Sequence, residues 1–229
     1  MIRNTAPPSY DNLTVLLPTR NEEQSIKAVL QEVLSHLSGA KIVVADSSED
    51  ETPIIALNMG ATVFATPPKG KAFAIRDAVA KITTPYVIMM NSDFTYPAYY
   101  GRALYALLEA DIDVVVGCRV LVDKGSMTAL HSIGNFGLSA LVSVLYFRRV
   151  IDACSGMWGF KTDILQSFDL KSKGFQLEAD LLAHTIKGEH KFAQVPIGYR
   201  ARLEDSRAKL TAKDGLKIAA FMVKSRFSR

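Results

Sequence analysis

The chain has little cysteine: two residues, Cys118 and Cys154, in a length of 229. Two cysteines do not build a disulfide framework, and free thiols in a reducing compartment are the expectation. Long apolar runs are missing too. None reaches the roughly twenty residues that a membrane span requires. The nearest, "IGNFGLSALVSVLYF" at Ile133–Phe147, is short and broken by glycine and serine. It reads as a buried or an interfacial helix. The start, "MIRNTAPPSYDN", has no apolar segment of the signal-peptide kind, so a cytoplasmic place is expected. The histidines, His36, His131, His184 and His190, lack metal-ligand spacing. No internal repeat or low-complexity linker occurs. The glycine-rich N-terminal loop expected of a sugar-1-phosphate nucleotidyltransferase is absent.

What is present fits a globular protein with a substantial core: 48% of the residues are hydrophobic and 22% charged. The net charge is only +4, but it is unevenly placed. From Tyr199 to Arg229 there are nine cations and three acidic residues. Such a tail suits anionic lipid, a polyphosphate ligand or a merely solvated face. Nucleic acid is not expected, because the cations are mixed with an apolar helix rather than aromatic platforms. A domain over residues 1–214 and a basic amphipathic helix over 215–229 are the expected division.

The first two thirds alternate strand and helix patterns. "LTVLLP", "AKIVVAD", "TVFAT", "YVIMM" and "IDVVVGCR" read as strands. Between them, "NEEQSIKAVLQEVLSHL" carries a helical stripe of Ile26, Val29, Leu30, Val33, Leu34 and Leu37. Helices are also expected after "SSEDE", within "PPKGKAFAIRDAVAKIT", and in "PAYYGRALYALLEA" with Pro97 in its first turn. Short apolar strands alternating with helices predict an α/β fold, a mainly parallel Rossmann-like sheet with helices on both faces. Ligands in such sheets bind outside the carboxyl ends of the strands.

Those ends are polar. "NSD", Asn91 to Asp93, offers an amide, a hydroxyl and a carboxylate. Hard divalent cations take oxygen ligands, often one or two carboxylates completed by phosphate oxygens. Asp93 and Asn91 are the candidate ligands, and an Asx turn is the alternative. Asp46, with Asp50 four residues on, suits a base or ribose, or a helix cap. Arg20 and Glu22 would stand beside Asp46 if the first two strands are neighbours. Arg119 would face a diphosphate, or form a surface ion pair.

The order "LLPTRNEE", "VVADSSEDET", "KGKAFAIRDA", "MMNSDFTYP", "GCR", "DACSGMWGFK", "GFQLEADLLA", "VPIGYRARLEDSRAKL" resembles glycosyltransferase family two, of the GT-A fold. Within it the chain looks most like the dolichyl- and polyprenyl-phosphate sugar synthases. The resemblance implies that Pro18, Arg20, Glu22, Val44 and Asp46 line a nucleoside pocket. It implies that Asn91, Ser92 and Asp93 replace the usual Asp-X-Asp that holds Mg2+ or Mn2+ with the donor. Arg119 matches a cation near the donor phosphates. Arg202 and Lys209 match a basic pair for diphosphate and acceptor phosphate, with Arg200 or Arg207 as possible helpers. Glu178 matches an acidic position facing the site. Asp152 and Ser155 would bind the sugar or order their loop, and Trp158 would stack on a sugar or fill the core.

The implied reaction moves a hexose, with inversion, from a nucleotide-diphosphate sugar to a polyprenyl or dolichyl phosphate. That acceptor lies in a bilayer, so a peripheral protein at the cytoplasmic membrane surface is expected, docked by residues 133–147 or 215–227. A soluble or protein acceptor would instead need a base, Glu178 or Asp180. A non-catalytic nucleotide-sugar or lipid-binding module is the remaining alternative, prompted by Asn91.

Overall fold

A computed structural model describes residues 9–66, 71–172, 176–203 and 212–228. Seven strands form one sheet in the order β3-β2-β1-β4-β6-β5-β7. They are β1 (Leu13–Thr19), β2 (Lys41–Asp46), β3 (Thr62–Ala65), β4 (Tyr86–Met90), β5 (Val114–Val122), β6 (Met157–Lys161) and β7 (Phe192–Tyr199). All are parallel except β6, which lies antiparallel between β4 and β5. Strands β6 and β7 were not foreseen. "SGMWGF" has a glycine on either side of its tryptophan and reads as a turn, but Trp158 and Phe160 are wholly buried between the flanking strands and helices.

The helices are α1 (Ile26–His36), α2 (Thr52–Asn58), α3 (Lys71–Val79), α4 (Gly101–Glu109), α5 (Ala129–Tyr146), α6 (Thr162–Ser167), α7 (Leu177–Lys187) and α8 (Ala212–Phe227). Pro97 precedes a short 3-10 turn, Ala98–Tyr100, that leads into α4. Strand side chains alternate between two cores, as a period of two requires. Val87 and Met89 meet the α3, α5, α7 and α8 side, while Ile88 and Met90 meet the α1, α2 and α4 side. In α1 the buried stripe is Ile26, Val29, Leu30 and Val33, with Leu37 just beyond; Leu34, expected in it, is 47% exposed.

Two helices depart further from expectation. The boundary at residue 214 falls inside α8, and Ile218 and Met222 of α8 are buried in the same core as α5 and α7. The outward ridge of α8 is Leu216, Ala220, Val223 and Phe227. Helix α5 is not a core helix. Its 18 residues include no charged side chain, and only Ser139, Val142 and Tyr146 are buried. Leu130 and Ile133 are each 68% exposed, Phe136 76% and Phe147, just past its end, 87%. By length and composition α5 is long and apolar enough to cross a membrane.

Candidate active site

Parallel pairing brings the carboxyl ends of β1, β2, β4 and β5 to one rim of the sheet. Thr19 lies beside Asp46 in register, and its Oγ1 donates to Asp46 Oδ1 at 2.6 Å. Ser48 adds an Oγ bond to Oδ1 at 2.7 Å and an N–H bond to Oδ2 at 3.1 Å. Asp46 is thereby buried and fixed at the end of its strand. Asp50 makes an Asx turn just ahead of α2, its Oδ1 accepting from the Thr52 N–H at 3.0 Å and from Thr52 Oγ1. Glu22 stands close by, anchored through its N–H to Thr52 Oγ1 at 2.9 Å. Pro18 is half-buried and Arg20 exposed on the same rim. Val44 differs from its expected place. It pairs with Leu17 in mid-strand and is wholly buried in the α1–α2 core, so its side chain lines no pocket.

At the end of β4 the three polar residues divide. Ser92 is buried; its Oγ donates to the Pro18 carbonyl at 3.0 Å, and its own carbonyl accepts from Ser25 Oγ at 2.8 Å. It laces β4 to β1 and α1. Asp93 makes the Asx turn with one oxygen: Oδ1 accepts from Thr95 Oγ1 at 2.6 Å and from the Thr95 N–H at 3.3 Å. The other oxygen faces a cation. Arg202 donates to Oδ2 from Nε at 2.9 Å and from Nη2 at 2.6 Å. Burial works against the Arg202 charge, but Asp93 outweighs it and the net shift is upward. Arg200 is held alongside, paired with Glu32 at 2.7 and 3.0 Å and lying 3.9 Å over the Phe94 ring.

Asn91 is gripped on two sides. Its Oδ1 accepts from Lys71 Nζ at 2.8 Å, and the same ammonium donates to Glu178 Oε1 at 2.7 Å. Its amide lies flat against Gly156, where an added Cβ would come within 2.5–2.7 Å of its Nδ2, Cγ and Oδ1 atoms. Glu178 is therefore an ion-paired residue at the site and not a solvated helix glutamate. Lys71 escaped the sequence reading. One signal was available: a lysine at a helix start opposes the helix dipole and is favoured there by a nearby anion.

Arg119 takes a different place from the one expected. It donates from Nε and Nη2 to the two oxygens of Asp152, each at 2.7 Å, and from its backbone N–H at 3.0 Å. Side-chain exposures are 10% and 2%, so this is an interior pair rather than a surface one, and the guanidinium is taken up within it. Burial alone would raise the Asp152 carboxyl; Arg119 holds it below the ordinary aspartate value. Asp152 and Ser155 order the loop before β6, Ser155 Oγ donating to the Gly117 carbonyl. Trp158 fills the core, stacked on Phe160. Asp180 is buried and accepts from the N–H groups of Lys171 and Ser172 at 2.7 Å each. Burial pushes the Cys118 and Cys154 thiols up to about 12. Lys209 and Arg207 lie outside the described residues.

The donor set fits a divalent cation of the kind that substrates complete. Among the described residues no group of three or more His, Cys, Asp or Glu converges as a self-sufficient metal site. Asp93 Oδ2 and Asn91 Oδ1 are hard oxygens at one strand end. Two such ligands leave most of an octahedral sphere to phosphate and water, as magnesium sites commonly do.

Residues 14–168 match the family described as Glycosyl transferase family 2. The chain is 33% identical over 200 residues to a dolichyl-phosphate hexose transferase of Haloferax volcanii, a match covering 87% of each. Among solved structures it is similar to glucosyl-3-phosphoglycerate synthase of Mycobacterium tuberculosis in complex with Mn2+, UDP and glucosyl-3-phosphoglycerate. The TM-score is 0.71 at 23% identity, covering 93% of this chain and 77% of that one. Mannosyl-3-phosphoglycerate synthase of Rubrobacter xylanophilus gives 0.72 at 18%, covering 93% and 72%. These likenesses bear out the expected GT-A fold.

Proposed function

The chain belongs to glycosyltransferase family 2, and from that premise we propose that it transfers a hexose from a nucleotide-diphosphate sugar to a polyprenyl or dolichyl phosphate at a membrane surface. The observation that carries the lipid half is α5, an uncharged helix with an outward apolar ridge of Leu130, Ile133, Phe136 and Val144. The similarity to a dolichyl-phosphate hexose transferase supports it. So do Arg148, Arg149, Lys217 and Lys224, exposed cations that would meet lipid phosphates.

In the reaction an acceptor phosphate oxygen attacks the anomeric carbon as the bond from that carbon to the donor diphosphate breaks. The electron pair leaves with the nucleoside diphosphate, and the configuration inverts. A divalent cation held by Asp93 and Asn91 with the donor phosphates, Mg2+ or Mn2+, would offset the charge on that leaving group. Asp46 and Glu22 would receive the nucleoside from the β1–β2 side. Arg202, with Lys209, would orient phosphate oxygens, a role for which a forked guanidinium suits. A phosphate monoester is already anionic near neutral pH, so no strong general base is needed. Glu178 then serves as the counter-ion of Lys71 rather than as a proton acceptor.

The test is nucleoside diphosphate release from UDP- and GDP-hexoses with Mn2+ or Mg2+, with a short polyprenyl phosphate or water-soluble acceptors. Release that depends on the polyprenyl phosphate is the expected result. Release with water-soluble acceptors alone would reject the lipid half and return Glu178 and Asp180 as candidate bases.

A further inference from the structure

The four hydrogen-bonding positions of the Asp93 carboxylate are all taken. An ionised carboxylate offers about four lone-pair sites. Thr95 fills two on Oδ1, and Arg202 fills two on Oδ2. The Asn91 carbonyl oxygen accepts from Lys71 Nζ at 2.8 Å. Asp93 Oδ2 and Asn91 Oδ1, the two oxygens offered to a divalent cation, therefore each already carry a protein cation.

We propose that Lys71 and Arg202 are resident counter-cations of the metal site, which exclude a free divalent cation and yield only to a metal that arrives with a nucleoside diphosphate. This rests on the reading that such a pair binds at these strand ends. Of the two partners of Asp93, Thr95 is wholly buried and bonds partly through its backbone, whereas the Arg202 side chain is 26% exposed. Arg202 is the one that can leave. Lys71 is equally accessible, at 26%.

Charge sets the direction of the exchange. Asp93 pairs with Arg202 and Glu178 with Lys71, one anion to each cation. A dication entering alone meets two fixed cations within a few ångströms and finds no new anion for them. A nucleoside diphosphate brings about three negative charges and several phosphate oxygens. The ammonium and the guanidinium transfer to those oxygens while the metal takes Asp93 Oδ2 and Asn91 Oδ1. The lack of a Cβ at Gly156 leaves the room in which the Asn91 amide lies. An uncharged Asn91 also gives Lys71 a weaker hold than a carboxylate would, which favours its release.

The test is Mn2+ titration of the full chain without nucleotide, read from the free-Mn2+ electron spin resonance signal. Wild type is compared with Lys71→Met, Arg202→Met and the charge-keeping Lys71→Arg and Arg202→Lys. Wild type and both charge-keeping variants are expected to bind Mn2+ weakly. Each methionine variant should bind it about tenfold tighter or more, the equivalent of about 1.4 kcal/mol. Far-UV circular dichroism verifies folding, and either methionine variant suffices if the other is unfolded. The proposal is overturned if neither folded methionine variant gains Mn2+ affinity, or if wild type binds Mn2+ alone as tightly as with UDP. A parallel titration with UDP and Mn2+ together addresses the donor reading separately: no nucleotide binding there, alongside gained Mn2+ affinity in the variants, rejects the donor and keeps the counter-cations.

Discussion

Asp152 and Arg119 form the pair with most to lose by a single substitution. Removing one partner of a buried pair costs about 3–5 kcal/mol, because the other charge stays inside uncompensated. Asp152→Asn is expected to unfold at a lower temperature in that proportion at pH 7. The folded Asp152 carboxyl lies below its unfolded value. Its contribution is thus present above about pH 4 and is lost as pH falls through the folded value. Denaturant unfolding from pH 6 to pH 3 should fall less steeply in the variant than in wild type; parallel curves would deny the pair this role. Asp93→Ala should do the opposite: keep the fold and lower metal-dependent turnover on the order of 100-fold. Unchanged turnover and metal dependence would remove Asp93 from the chemistry. At this scale the sequence was partly legible. Asp46, Asn91 and Asp93 stand at strand ends, where periodicity alone locates them. The pairings of Lys71 with Glu178 and of Glu32 with Arg200 were not legible, since the partners lie 107 and 168 residues apart and no local spacing records such pairs.

At the scale of elements, hydrophobic spacing located every helix it was applied to but not the rotation of each. Helix α8 has two apolar sides, and spacing alone merges them into one surface. Packing separates them: Ile218 and Met222 turn inward, and Leu216, Ala220, Val223 and Phe227 outward. Removing α8 would open the core, so point changes on the outward ridges test membrane contact better than truncation. Phe136→Asp and Phe227→Asp alter side chains that are 76% and 79% exposed. Burying a phenylalanine in lipid is worth about 1.5–3 kcal/mol. Each variant is therefore expected to lose roughly tenfold or more of its cosedimentation with anionic vesicles at low salt, with its melting temperature unchanged. Equal sedimentation of both variants and wild type would dismiss this face as the lipid contact.

For the whole molecule, the mainly parallel sheet followed from alternating strand and helix patterns, while β6 did not, since its position between β4 and β5 is a property of the assembled sheet. That position matters while the chain is being made. Synthesis proceeds from the N-terminus, and domains begin folding before they are complete. Strand β1 is already made when β4 emerges, but the other side of β4 waits for Met157–Lys161. Until then Tyr86–Met90, five residues with four wholly or almost wholly buried in the finished protein, is an open apolar edge. Edges of that kind recruit other chains. A fragment ending at Val150 should sediment as aggregate or be recovered bound to a chaperone, whereas one ending at Leu170 should stay dispersed for longer. The nascent polypeptide thus carries this open edge over the stretch of translation between the fourth strand and the sixth.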